Sequence, residues 1–393
     1  MAPELNYITD AVVKAGSFIN GTGNPVRINT FIHVRNGFIE SIAGVMPESD
    51  LPLIDLSDYT VLPGLIDSHV HLFMSADIAD ENRSRLFTAD YETVKPFISR
   101  HVDQHVFHGI VAVRDGGDAG AHAARYKKEL LSDKSPRLCI RTAGRAFYKP
   151  GRYGKIVGGQ AVNGRQLIDT INRNMTSADH VKIINSGINS LKTFGQSTPP
   201  QFQPDELKAI VRLARKKARK VMVHANGELP VKEAVEAGVD SIEHGFFMGR
   251  DNLALMAEKG TCWVPTAGTM HAFAQMGREG GIVAARTLES QMEQIMFARK
   301  VGVTVALGTD AGSPGVFHGD SLFSELSLLL DAGYSVEEAI KCCTANGAAL
   351  LGLTEFGTLR PGMPANFIAA RGTVKNIPGS LREIRVYRSC GTE

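Results

Sequence analysis

Paired cysteine is missing from this chain. Cys139, Cys262, Cys342, Cys343 and Cys390 form no CxxC and no framework of regular spacing. That excludes a disulfide-stapled scaffold and reads as buried or free thiols in a reducing compartment. Tryptophan is nearly absent, and Trp263, inside an apolar run, reads as core. No stretch has the apolar length of a membrane span, and Met1-Ala-Pro-Glu-Leu-Asn6 has neither a basic n-region nor an apolar h-region. The expectation is a cytoplasmic protein without a membrane partner. An excess of one charge is also lacking: 43 Lys and Arg against 41 Asp and Glu leave a formal net charge of +2, which gives no general pull toward nucleic acid. The basic run Arg212 to Lys220 falls on a predicted outer helix and reads as a solvated face. What is present, 43% hydrophobic and 21% charged over 393 residues, suffices for a large core.

Residues from about 10 to 62 read as short strands. Asn36-Gly37, between Thr30–Arg35 and Phe38–Ala43, is a strong hairpin signal, because a type I′ turn needs positive φ at both positions. From residue 62 the texture becomes alternating apolar strands and amphipathic helices. Strand candidates follow at 110–114, 137–142, 180–184, 221–224, 241–244, 261–265 and 303–307, eight with the first. Pro204 opens a helix whose Leu207, Ile210, Val211 and Ala214 make a buried stripe. Short, nearly continuous apolar strands suit a parallel sheet covered by helices, and eight such units predict a (β/α)8 barrel. The segment from Phe356 to Ala370, and Ile384 to Arg388, return to turns and short strands. They are expected to rejoin the N-terminal β unit. The predicted organisation is a composite β-sandwich from 1–61 and 355–393 beside a barrel over 62–354.

Within Leu62–Leu72, His69 and His71 stand two apart, so in a strand both face one side and can share a metal ion. Asp67, on the same face, could accept a hydrogen bond from a ligand histidine. Later strand ends carry Asp115, Lys182, His224, His244 and Asp310. Imidazole and carboxylate suit zinc and similar divalent ions. Lys182 is the odd member, since an ammonium cannot bind a cation; alone it would read as a snorkelling or ion-paired lysine.

Jointly, the pieces Pro63-Gly-Leu-Ile-Asp-Ser-His-Val-His71, Val181-Lys-Ile-Ile-Asn-Ser-Gly187, Val221-Met-Val-His-Ala-Asn-Gly227, Ser241-Ile-Glu-His-Gly245 and Gly308-Thr-Asp-Ala-Gly312 resemble the amidohydrolase superfamily, in its order along the chain. The resemblance implies two divalent metal ions, zinc by preference. One would be held by His69, His71 and Asp310, the other by His224 and His244, with Lys182 carboxylated as a bridging carbamate. It implies attack by a metal-bridging hydroxide, with Asp310 as proton shuttle. Deaminases of the superfamily carry a glutamate three residues after the fifth-strand histidine. Here that position is Gly227 and Glu228 follows it.

The runs Ala178 to Ile188 and Gly308 to Gly319 look most like the Xaa-Pro dipeptidase and imidazolonepropionase-like branch. The implied activity is hydrolysis of amide bonds in dipeptides of Xaa-Pro type or N-acyl amino acids, by a homo-oligomer acting on small molecules. Departures fall on substrate loops: Lys149-Pro-Gly-Arg-Tyr-Gly154 replaces the usual Thr-Gly-Gly-His turn, and Ile188 leads a long loop to Phe202. A cyclic amide, lactone or phosphoester hydrolase could use the same centre. A metal-free scaffold paralogue would be expected to have lost ligands.

By position, Tyr148 and Tyr153 could hydrogen-bond an oxyanion, and Arg145 and Arg152 could clamp a carboxylate. His271 and His318 lie on loops of the predicted active face. His101, His105 and His108 share one helical face and read as a surface helix. His180 reads as packing or support beside Lys182.

Overall fold

The computed structural model describes residues 5–131, 137–155, 159–164, 166–277 and 280–389. The residues before Leu5, and Cys390, lie outside the described residues. Sixteen strands are described: β1 Leu5–Ile8, β2 Ala11–Phe18, β3 Arg27–Arg35, β4 Phe38–Ala43, β5 Leu53–Pro63, β6 Leu65–Val70, β7 Ile110–Asp115, β8 Cys139–Thr142, β9 Ala146–Tyr148, β10 Gly159–Ala161, β11 His180–Ile184, β12 Lys220–Ala225, β13 Ser241–His244, β14 Cys262–Val264, β15 Phe367–Arg371 and β16 Ile384–Ser389. With the helices between them they make a mixed α/β fold.

The two ends of the chain share one seven-stranded sheet, in the order β1-β16-β15-β5-β2-β3-β4. The predicted hairpin is there: Arg35 pairs with Phe38 across Asn36 and Gly37, both at positive φ (51° and 77°). Strand alternation divides this sheet between two cores. Phe367, Ala369 and Tyr387 join a cluster with Ile8, Val13, Phe18, Ile32 and Ile39, drawn from both edges of the sheet. Their neighbours Ile368, Ala370 and Val386 face the large core instead.

Parallel strands form the rest: a three-stranded sheet β6-β7-β8 and a six-stranded sheet β10-β9-β11-β12-β13-β14. β6, β7, β11 and β13 are buried at every residue, as strands covered on both faces must be. The helix Pro204–Lys216 lays Leu207, Ile210, Val211 and Ala214 inward as predicted, under a Gln203–Glu206 capping box. Between β5 and β6 sits Gly64, where a Cβ would meet Val111 Cγ1 at 2.4 Å. Only glycine lets the chain pass from one sheet to the other so close to β7.

The segment 303–307, predicted as a strand, makes only isolated bridges: Trp263 with Val305 and, further on, Val70 with Ala311. It is nonetheless bonded on both flanks. Trp263 N donates to Thr304 O and Ala306 N to Trp263 O, while Ser68 N donates to Leu307 O and Asp310 N to His69 O, at 2.8–2.9 Å. Beyond this segment the chain turns left-handed at Asp310, φ 60°. On the other side, Asp179 N donates to Thr142 O, joining β8 to β11.

Trp263 is fully buried, and Cys262, Cys342 and Cys343 are buried free thiols, with Cys139 half-buried. Among the described residues, no helix is long and apolar enough to cross a membrane.

Glu325, from the helix Ser321–Asp331, is buried and accepts hydrogen bonds from Ala267 N and Gly268 N (2.9 and 2.6 Å), where the helix Gly268–Gln275 begins. Burial raises its pKa from 4.5 to about 8, against the lowering effect of those two bonds. The folded state therefore holds this proton more tightly than the unfolded chain, so its stability falls as pH rises from about 4.5 to about 8. Melting temperatures measured across that window should fall more steeply for the wild type than for Glu325→Gln; parallel curves would contradict the assignment.

Candidate active site

The strand ends bring His69, His71, Lys182, His224, His244 and Asp310 to one place. His69 Nε2 and His71 Nε2 each lie 3.5 Å from Asp310 Oδ1. Their ligand atoms all fall within 4.8 Å of one another, a possible metal site. Lys182 Nζ stands 3.4 Å from His69 Nε2. The rings continue without a gap: His69 to His244 at 5.1 Å between centroids, and His244 to His224 at 4.7 Å.

Each imidazole has one nitrogen turned toward protein. His71 Nδ1 faces Gly117 O at 3.4 Å, His224 Nε2 faces Gly187 O at 3.0 Å, and His244 Nδ1 faces Thr266 Oγ1 at 2.7 Å. His69 Nδ1 lies 2.9 Å from Glu243 Oε2, off the ideal hydrogen-bond line. Such partners fix the tautomer and leave the second nitrogen for a cation.

Glu243 was not anticipated as part of this site, and it displaces an expectation. Asp67 does not reach a ligand ring. Its Oδ1 accepts from His69 N (3.2 Å) and Thr309 N (3.0 Å), and its Oδ2 from Thr309 Oγ1 (2.7 Å). It is too close along its own strand to turn toward His69, and instead fastens β6 to the segment carrying Asp310. The supporting carboxylate comes from across the interior on β13. Glu243 Oε1 in turn accepts from Arg114 Nη2 at 2.8 Å and from the Ser241 hydroxyl. Arg114 also donates to Ser68 O (2.7 Å) and Ser241 Oγ (3.0 Å). The sequence signal was there in the Glu beside His244, but nothing in the spacing says which ring it meets.

Burial dominates the electrostatics. It lowers Lys182 from 10.5 to about 8, opposed by the charges of Glu243 and Asp310. It raises Asp310 to about 6, against the hydrogen bond that Ser313 Oγ donates to Oδ2 (2.8 Å). It pushes His71 to about 3 and His224 to about 4, with the Lys182 charge acting in the same direction. These histidines are therefore neutral, the form that binds metal. Asp115, raised to about 7 by burial, holds the neighbouring backbone: it accepts from Leu72 N, Gly117 N and Thr142 Oγ1.

The ligand cluster opens into a cavity of about 270 Å³. Besides His71, Lys182, His224, His244 and Asp310, its walls are mostly apolar, with Met74, Phe87, Ile188, Phe246, Met270 and Phe273 among them, and Arg83, Asn189, Asn226, Thr269 and Ser313 as polar members. Tyr153 lines it, its ring 5.5 Å from His224. The other proposed substrate contacts do not. Tyr148 is buried against Ala146 and Ile184 beneath Gly154. Arg145 Nε donates to Ala119 O and Arg152 Nη2 to Pro199 O, both on the exterior. His271 meets Gln275 on another face.

His318 is buried, stacked on His101 at 3.9 Å between centroids and 3.3 Å from His105 Nε2. The surface-helix reading of His101 and His105 is thus corrected. Both are buried with Val94, Ile98 and Val102, and His101 Nδ1 faces Leu72 O, just past the end of β6. His180 is buried too, in a separate hollow with Arg114 and Arg141.

Four neutral imidazoles, a carboxylate and a buried lysine thus meet in one place, and three of them, His69, His71 and Asp310, form a possible metal site. A model of the amidohydrolase family matches residues 60–387, and the chain belongs to that family. A Xaa-Pro dipeptidase crystallised with methionine in its active site is 28% identical, with a TM-score of 0.85 over 97% of this chain and 98% of that one. Ochratoxinase of Aspergillus niger is 26% identical, covering 96% of this chain and 83% of its own. Imidazolonepropionase of Geobacillus kaustophilus is 24% identical over 91% and 86% of the two chains. Membership makes the chain a hydrolase, and amide hydrolysis is the general chemistry these relatives support.

Removing one member of the buried Arg114–Glu243 pair strands the other charge. Glu243→Ala should destabilise the fold by roughly 3–5 kcal/mol and Glu243→Gln by clearly less, read from urea unfolding. Equal, small losses in both would show that the pair is not the buried anchor described.

Proposed function

We propose that this chain is a binuclear metal-dependent amidohydrolase that cleaves amide bonds in small N-acyl amino acids or dipeptides. The observation that carries the reading is the meeting of six side chains from distant parts of the chain, five of them on one cavity and His69 3.4–3.5 Å from Lys182 and Asp310, each imidazole with one nitrogen already turned to protein. In this reading the parallel strands and the segment 303–311 close as a (β/α)8 barrel over 62–354. The sheet shared by 1–61 and 355–393 curls into a composite β-sandwich. The hydrogen bonds flanking 303–311 and those joining β8 to β11 support closure.

The residues present fit two divalent cations, zinc by donor chemistry. His69, His71 and Asp310 would hold one, and His224 and His244 the other. An ammonium at Lys182 would oppose both. Burial has already brought its pKa to about 8, and the neutral amine is the form that adds carbon dioxide. As a carbamate, Lys182 becomes an anionic ligand available to both sites. When bound, the cations supply an activated water and polarise the substrate carbonyl.

Asp310, with Oδ2 held by Ser313 and Oδ1 toward the histidines, takes the proton from the attacking water and passes it to the leaving nitrogen. Tyr153 keeps its hydroxyl proton, because burial and the nearby Asp310 charge raise its pKa. It is placed to donate to the developing oxyanion beside His224.

Zinc-loaded protein should carry two metal equivalents and turn over members of a panel of N-acyl amino acids, dipeptides, cyclic amides and lactones, with amides favoured. Glu243→Gln should cost about 10–100-fold in metal affinity. Lys182→Ala should abolish hydrolysis, with recovery by added short-chain carboxylates. Protein that takes up no divalent metal and hydrolyses no amide would end the proposal, as would a fully active Lys182→Ala.

A further inference from the structure

Two of the six clustered residues stand off the strand ladders. His71 follows β6 by one residue, and Asp310 follows a segment that makes only isolated bridges. Backbone bonds join the two segments at 2.8 Å, His71 N to Ala311 O and Asp310 N to His69 O. Past these bonds both chains enter loops, and buried histidines that do not line the cavity join the loops again.

After His71 the chain makes a tight turn, closed where Met74 N donates to His71 O at 3.0 Å. The carbonyls of Leu72 and Met74 are each met by an imidazole. His101 Nδ1 lies 2.8 Å from Leu72 O, and His318 Nε2 lies 2.8 Å from Met74 O. After Asp310 the chain is bonded to itself, Ser313 N to Asp310 O and Gly312 N to Val316 O, and Gly315 N donates to Ala76 O. One side chain on the Asp310 loop, His318, thus grips the turn that follows His71.

The carbonyls fix the protons. A carbonyl only accepts, so His318 carries its hydrogen on Nε2 and His101 on Nδ1. Burial keeps His101, His105 and His318 neutral. His318 Nδ1 is then bare and accepts from His105 Nε2 at 3.3 Å, while its face stacks on His101, 3.9 Å between centroids and 19° from parallel. One tautomer and one orientation satisfy all these contacts. An apolar plug of the same size would close the loops without burying polar rings. What it could not supply is a directional hold on Met74 O.

We propose that His318, seated on His101, is a positioning residue of the centre. It clasps the Asp310 loop to the His71 turn and so sets how these two side chains present themselves to one cation. This rests on the metal-centre reading above. The test therefore reads the clasp with metal and without it.

His318→Phe keeps the ring and loses both polar atoms. His318→Gln keeps one donor and one acceptor. Cobalt is the probe, because its visible absorption reports ligand geometry. Wild type should take up two equivalents. His318→Phe should bind one of them about 10–100-fold more weakly, with a changed absorption band, and His318→Gln should return both to within a few-fold of wild type. A role in stability alone would lower the melting temperature and leave affinity and band unmoved. If His318→Phe does not fold, His101→Phe, which keeps the stack and frees only Leu72 O, should shift the same equivalent in the same direction. In metal-free protein with nitrogen-15 histidine, NMR should find the proton of His318 on Nε2 and that of His101 on Nδ1. The His71 ring signals should move in the phenylalanine variant and hold in His318→Gln.

Unchanged affinity and band in whichever phenylalanine variant folds overturns the proposal. So does a His318→Gln as impaired as His318→Phe, or a His318 ring protonated on Nδ1 instead. Wild type that takes up no cobalt refutes the binuclear reading, and the metal-free NMR then decides the clasp by itself.

Discussion

A single buried ion pair organises the centre of this molecule. Arg114 reaches from β7 to Ser68 O on β6 and to Ser241 and Glu243 on β13. It thereby ties the three-stranded sheet to the six-stranded one through the interior. Two fully buried charges are no bargain in stability terms, since an apolar pair of equal volume usually does as well or better. Their presence asks for another reason, and the other oxygen of Glu243 supplies it, 2.9 Å from His69 Nδ1. With that edge of the ring against a carboxylate, Nε2 is left facing Asp310 and Lys182. The charge pair sets the direction of the His69 ring.

Backbone conformation does the same at the other ligands. His244, Thr266 and Asp310 all sit at positive φ, 67°, 50° and 60°. Such positions cost on the order of 1–3 kcal/mol each for residues with a Cβ, and they persist only where surrounding bonds over-determine them. Those bonds are visible: Gly245 N to Ala225 O, and Asp310 N to His69 O. Turning left-handed at a strand's last residue swings the side chain off the strand's alternation and over the cavity. Thr266 turned the same way brings its hydroxyl 2.7 Å from His244 Nδ1. Three of the nine described non-glycine residues at positive φ thus fall at or beside the histidine cluster, and there the strained backbone serves to aim side chains at one another.

This explains what could be read from the sequence and what could not. Strands, the Asn36-Gly37 hairpin and the helix stripe over Leu207–Ala214 depend on local spacing, so they were legible. The six clustered residues were legible as types, because parallel strand ends gather polar groups. Legibility failed where the answer depends on distances across the interior. Asp67 and Glu243 are both buried carboxylates near ligand histidines, and spacing favours Asp67. Which one meets His69 is decided by a reach from β13 that no local rule encodes. His101 and His105 misled for the converse reason. Three histidines on one helical face look solvated, yet His318, from over two hundred residues away, packs against two of them, His101 and His105, in the interior.

Loop residues follow a different logic. Strand ends are fixed by ladders of backbone bonds, so a ligand placed there keeps its position whatever the loops do. Loop side chains have no such ladder, and their chemistry does not reveal their task. Arg145 and Arg152 have the fork geometry suited to a carboxylate, but their guanidinium groups bond Ala119 O and Pro199 O and hold the rim in shape. Tyr148 and Tyr153 are five residues apart, one sealed under Gly154 and one facing the cavity. Family resemblance therefore transfers the centre far more securely than the substrate. The groups that choose a substrate must be found by asking which loop side chains the fold leaves unspent.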